Sequence, residues 1–146
     1  MTDDVRTDPK WARNRKGRFH RLSLLNPDEL GLAGIGGVYL LWHSGLKPEW
    51  ITVGKSTDLG SDLDSLLDND DIEYYEKRGG IFVAWSQIRP EFQDGVLRFL
   101  IDDMDLLIAP AKKPARNIKP IPVYAPGMEP NQASPATSEA ITPPSG

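Results

Sequence analysis

The chain has 146 residues, 39% of them hydrophobic and 26% charged, which is the size of one domain. Twenty-one acids against seventeen Lys and Arg leave a net charge of −4, so the chain as a whole is no polycation. With no cysteine, a disulfide framework, a Cys-ligated zinc site and a thiol nucleophile are all excluded.

In chain order, Met1-Thr2-Asp3-Asp4 is acidic and lacks the apolar core of a signal peptide. No apolar run approaches the roughly 20 residues that span a bilayer. A soluble, cytoplasmic protein without a membrane partner is expected. From Lys10 to Arg21 the charge changes sign. Lys10, Arg13, Arg15, Lys16, Arg18 and Arg21 are interleaved with Trp11, Phe19 and His20. Residues 1–18 read as a flexible basic arm suited to phosphate contacts and base stacking, with Lys55 as a further cation for nucleic acid. The folded unit is expected at 19–124. Residues 125–146 hold five prolines and two charges, so they bury too little apolar area to offset ordering and read as a disordered tail.

Within 19–124, Asn26-Pro27-Asp28-Glu29 offers an N-cap, a proline at N1 and an acid at N3, so a short helix is expected there. Val38-Tyr39-Leu40-Leu41-Trp42 is β-branched and aromatic, a buried strand. Gly45 and Pro48 suit a hairpin connection, and Trp50-Ile51-Thr52-Val53 is the returning strand. Thr57 or Asp58 would cap a helix marked by Leu59, Leu63, Leu66 and Leu67. Gly80 to Trp85 is a third strand. Asp94 would cap a longer helix through about Ile108, with Val96, Leu100, Met104 and Leu107 as its inward stripe. Pro110, Pro114, Pro120 and Pro122 then force an extended exit.

Gly37-Val38-Tyr39 and Thr52-Val53-Gly54-Lys55-Ser56-Thr57-Asp58-Leu59 resemble the two halves of the GIY-YIG nuclease signature. The resemblance covers about residues 27–124. It implies a small α/β (α+β) domain with a three-stranded antiparallel sheet flanked by helices. It also implies phosphodiester cleavage with a divalent metal, Mg²⁺ or Mn²⁺, held by a helix glutamate and assisted by hairpin tyrosines and a helix arginine. Tyr39 matches the first tyrosine, Thr52 replaces the second, and Asp62 stands at the arginine position. The glutamate falls on Leu97 in the register that matches apolar positions, or on Asp102 if the helix ends at Pro110. A carboxylate in place of the arginine turns attraction for phosphate into repulsion, worth ~1 kcal/mol at 4 Å in water and ~4 at an effective dielectric near 20. Losing the clamp alone costs on the order of two or three decades of rate. The resemblance is therefore to a degenerate nuclease, which is expected to need no cofactor.

The acids reinforce this. Asp58, Asp62, Asp64, Asp68, Asp70, Asp71, Glu73 and Glu76 follow one another without a Lys or Arg. Such a run is a solvated helix face or a surface for a protein partner or self-association, and it repels a polyanion. Lys112, Lys113, Arg116 and Lys119 form a second basic cluster. Gly54-Lys55-Ser56-Thr57 imitates the end of a phosphate-binding loop, but Glu49 replaces the required glycine. His20 and His43 lack metal-ligand partners at useful spacing. Trp42, Trp50 and Trp85 fall on strands and read as core. The leading expectation is a non-catalytic or impaired GIY-YIG-like binding or assembly module that contacts nucleic acid or a protein. The alternatives are a divergent metal-dependent DNA endonuclease using Tyr39 and Asp102, or a structural assembly subunit.

Overall fold

The computed structural model describes residues 6–43 and 49–130; the expected hairpin connection at 44–48 and residues 131–146 of the expected tail lie outside them. Strands β1 (His20–Arg21), β2 (Gly37–His43), β3 (Glu49–Ser56) and β4 (Ile81–Ser86) make one antiparallel sheet in the order β1-β4-β2-β3. The sheet thus has four strands rather than the expected three. The added strand is two residues long, too short to show alternation, and its pairing with Phe82 and Val83 is set by tertiary contact.

A β-bulge decides which side chains of β3 fall on each face of the sheet. Leu41 pairs with Thr52 and Trp42 with Trp50, which leaves Ile51 as the extra residue on β3. Ile51 thereby joins Leu41, Val83 and Trp85 on one face. Helices α1 (Leu59–Ser65) and α2 (Asp70–Glu76) cover that face through Leu59, Leu63 and Ile72. On the other face Val38, Leu40, Trp42, Val53 and Ala84 pack against Val96, Leu97 and Leu100 of α3 (Pro90–Asp103). No helix among the described residues is long and apolar enough to cross a membrane.

Several element expectations change for identifiable reasons. The cap at Asn26 exists, its Oδ1 accepting from Glu29 N–H at 3.3 Å, but only a turn follows. Gly31 and Gly34, at φ +68° and +76°, stop it. Asp58 caps α1 as expected, accepting from Ser61 N–H. Helix α2 was not expected; Asn69 caps it by accepting from the N–H groups of Asp71 and Ile72. Helix α3 starts at Pro90, where proline fits N1, rather than at Asp94. It also stops at Asp103 instead of Ile108. Beyond it the N–H groups of Leu107 and Ile108 donate to the carbonyls of Trp50 and Ile51, so the chain follows the outer edge of β3 and Leu107 is exposed.

The packed unit begins before residue 19. Trp11 is 3% exposed, lies in the α3-side core, and donates its indole N–H to Tyr124 O at 2.7 Å. Thr7 bridges Val123, Ala12 N–H donates to Trp85 O, and Ser86 Oγ donates to Pro9 O. Packing likewise continues past residue 124, since Ala125 is buried in the same core. An indole in the core is worth far more than the arm's charges in deciding where residues 6–12 lie.

Candidate functional site

The two halves of the hairpin motif meet across β2 and β3. Tyr39 pairs with Gly54, and the hydroxyl end of its ring sits over that glycine. A methyl at Gly54 would overlap the ring and come within 2.8 Å of its Cε2. Gly37 is constrained equally, because a methyl there would overlap the Ser86 carbonyl and come within 3.1 Å of Leu59 Cδ1. The Gly-Val-Tyr and Val-Gly pattern thus has a packing cause within this chain: glycine on one strand seats the ring from the other.

Beneath the Tyr39 ring opens a cleft of about 280 Å³ between β3, α1 and the segment after α3. Tyr39, Thr52 and Asp62, the three positions singled out by sequence, line it together, with Lys55, Asn69 and Lys112. Thr52 is 6% exposed. Burial foremost, and then the negative charge of Asp62, hold the Tyr39 phenol above the ordinary tyrosine value near 10. The hydroxyl therefore stays protonated at neutral pH and is a poor base. Lys55 is engaged elsewhere, its ammonium 2.7 Å from Asp94 Oδ1 on α3. That leaves one other lysine, Lys112, in the lining of the cleft.

Neither metal register reaches the cleft. Leu97 is fully buried on the α3 side, on the opposite face of the sheet from Tyr39. Asp102 is exposed, one turn beyond Arg98, whose Nε lies 3.2 Å away. Among the described residues no group of three His, Cys, Asp or Glu side chains could hold a metal ion. The residues that sequence analysis offered for acid–base, phosphate and metal roles are thus divided: three share the cleft and the carboxylate ligand stands apart.

The acidic run is partly structural. Asp58 accepts from the N–H groups of Gly34 and Ser61, tying the loop before β2 to α1, and these bonds hold its carboxyl below the usual range. Glu76 accepts from Ile81 N–H and lies 3.7 Å from Arg21. Asp64, Asp68, Asp70 and Asp71 face solvent. The two histidines are also accounted for: His20 lies 5.1 Å from the Trp85 ring, and His43 Nε2 is 3.1 Å from Tyr75 O.

The basic segment gathers around aromatic rings, among them Trp42, which is a core residue as expected. Arg13, Arg18 and Arg21 surround a hollow of about 580 Å³ with Phe19, Trp42 and Phe82. Trp42 and Phe82 are cross-strand partners on β2 and β4, a pairing that depends on strand register and leaves no mark in local sequence. Lys10 points elsewhere, 3.9 Å from Asp8. No family model, curated protein or solved structure matches this chain.

Proposed function

We propose that this domain is a non-catalytic binding or assembly module of GIY-YIG-like architecture, whose cleft beside Tyr39 carries a carboxylate, Asp62, where a phosphate-cutting site needs an arginine. The observation that carries the reading is the meeting of Tyr39, Thr52 and Asp62 in one cleft with no carboxylate from α3 beside them. Tyr39 is too weak an acid to supply a base at neutral pH, and Thr52 is weaker still. Asp62 repels the phosphate that an arginine would hold. The ring of Tyr39 instead locks β2 to β3 over Gly54.

The experiment is incubation of the full chain with supercoiled plasmid and Mg²⁺ or Mn²⁺, beside Tyr39→Phe. The expected result is no nicking above a buffer control with either protein. Nicking by the wild type that disappears in Tyr39→Phe would overturn the reading and establish an endonuclease.

A further inference from the structure

We infer that the hollow formed by residues 13–21 against Trp42 and Phe82 binds single-stranded nucleic acid, on the face of the sheet opposite the Tyr39 cleft. The inference rests on the binding-module reading and gives it a ligand class. It starts from Asn14. The Asn14 N–H donates to Arg18 O at 2.7 Å, and Gly17 N–H donates to Asn14 O at 2.9 Å. The Asn14 side-chain oxygen accepts from the N–H groups of Lys16 and Arg18 at 2.9 and 3.0 Å. Gly17, at φ +77°, closes the turn. Four hydrogen bonds thus fix a tight loop whose tip is Arg15, Lys16 and Arg18, all exposed and without an ion pair among the described residues. A loop already ordered loses little further entropy when a ligand arrives.

Planar surfaces stand beside these charges. The Arg13 guanidinium lies 3.9 Å from the Phe19 ring centroid and donates to Gly17 O at 2.9 Å. Arg21 lies 5.7 Å from the Phe82 centroid, in space kept open by Gly80, where a methyl would overlap the guanidinium. Phe19 meets Trp42 edge-on at 4.9 Å, and Trp42 stacks on Phe82 at 5.8 Å. The acids facing the hollow are Glu129, 3.6 Å from Arg13, and Glu76, 3.7 Å from Arg21. Both separations exceed the roughly 2.7–2.9 Å of a strong charge-assisted bond. Five cations against two carboxylates leave the patch positive on a chain whose net charge is −4.

Phosphates would take the loop-tip cations while bases lie against the guanidinium and phenyl faces, the pairing of charge and stacking that unpaired strands satisfy. A duplex keeps its bases stacked inside and would use the charges alone.

The test is fluorescence anisotropy of a labelled 12-nucleotide oligothymidine with the full chain in EDTA, from 50 to 200 mM NaCl. Three loop-tip phosphate contacts give a log–log salt slope of about −2, or about a 20-fold loss of affinity across that range. Arg15→Ala/Arg18→Ala alters exposed side chains only, and should weaken binding more than tenfold at 50 mM while flattening the slope to about −0.7. Lys112→Ala, in the cleft on the other face, should leave binding unchanged. An abasic 12-mer and a 12-bp duplex should each bind at least tenfold more weakly. No binding at 50 mM salt, no effect of the double variant, or equal affinity for the abasic strand or duplex would each overturn the inference. Plasmid nicking in Mn²⁺ would overturn the non-catalytic reading instead, and leaves this EDTA titration to stand or fall separately.

Discussion

Placing a methyl at Gly54 drives it into the Tyr39 ring, where it overlaps Cζ and the hydroxyl and comes within 2.8 Å of Cε2. The backbone at Gly54 lies outside the positive-φ region, so alanine is compatible with the strand itself. The whole cost therefore lies in moving the ring. Overpacking of this kind costs about 1–3 kcal/mol, and the lower half of that range applies because the obstacle is the end of a side chain. At roughly 4 °C per kcal/mol for a domain near this size, Gly54→Ala should lower the melting temperature by about 4–8 °C. In a Tyr39→Ala background the obstacle is gone. The same substitution then only reduces the freedom of the unfolded chain, which stabilises by about 0.4–1 kcal/mol. The expected double-mutant cycle thus changes sign: destabilising with the ring present, neutral or stabilising without it. Calorimetry or urea unfolding of the four proteins reads this directly. An equal loss in both backgrounds would refute the claim that the motif glycine exists to seat the tyrosine.

Other outcomes follow from the same geometry. Trp11→Ala should cost about 3–5 kcal/mol in urea unfolding, a large part of the roughly 5–15 of a typical domain; a change within error would mean that the N-terminal segment does not belong to the core. Burial outweighs the Arg13 backbone bond in lowering the pKa of His20, so the folded state disfavours its charged form. Its contribution to stability should be intact above the unfolded value of about 6.5 and fade as pH falls through the lowered folded value, and His20→Gln should flatten that slope. Tyr39, raised instead, should contribute stability intact below about 10 and lost as pH rises through its folded value. Its phenolate absorbance should titrate at lower pH in Asp62→Asn, though still above an exposed tyrosine, because burial is the larger cause.

The strands of the central hairpin were legible because Val38 to Trp42 and Trp50 to Val53 carry β-branched and aromatic residues between glycine and turn signals. Their bulge was not, since one extra residue at Ile51 shows only against a partner strand. Helix α2 has a local signal, Asn69 followed by Asp70, Asp71 and Glu73 as a capped, acid-rich first turn, but the unbroken acidic run around it hides that turn among charges. Trp11 lies among six cations, the composition of a flexible arm, whereas burial of its indole fixes the segment. The cleft residues Tyr39, Thr52 and Asp62 were found through motif spacing, which encodes the hairpin and the start of α1 together. That neither Leu97 nor Asp102 reaches that cleft leaves no mark in the sequence, because it depends on which side of the sheet α3 crosses. The floor of the basic hollow, Trp42 against Phe82, likewise arises from register.

One measurement bears most directly on the proposal that nucleic acid binds the basic hollow and not the Tyr39 cleft: backbone amide NMR of the full chain titrated with the 12-nucleotide strand. Shifts at Arg13 to Arg21 and at Phe82, with Tyr39, Thr52 and Asp62 unmoved, are the expected result. Shifts centred on Tyr39, Thr52 and Asp62 would contradict it.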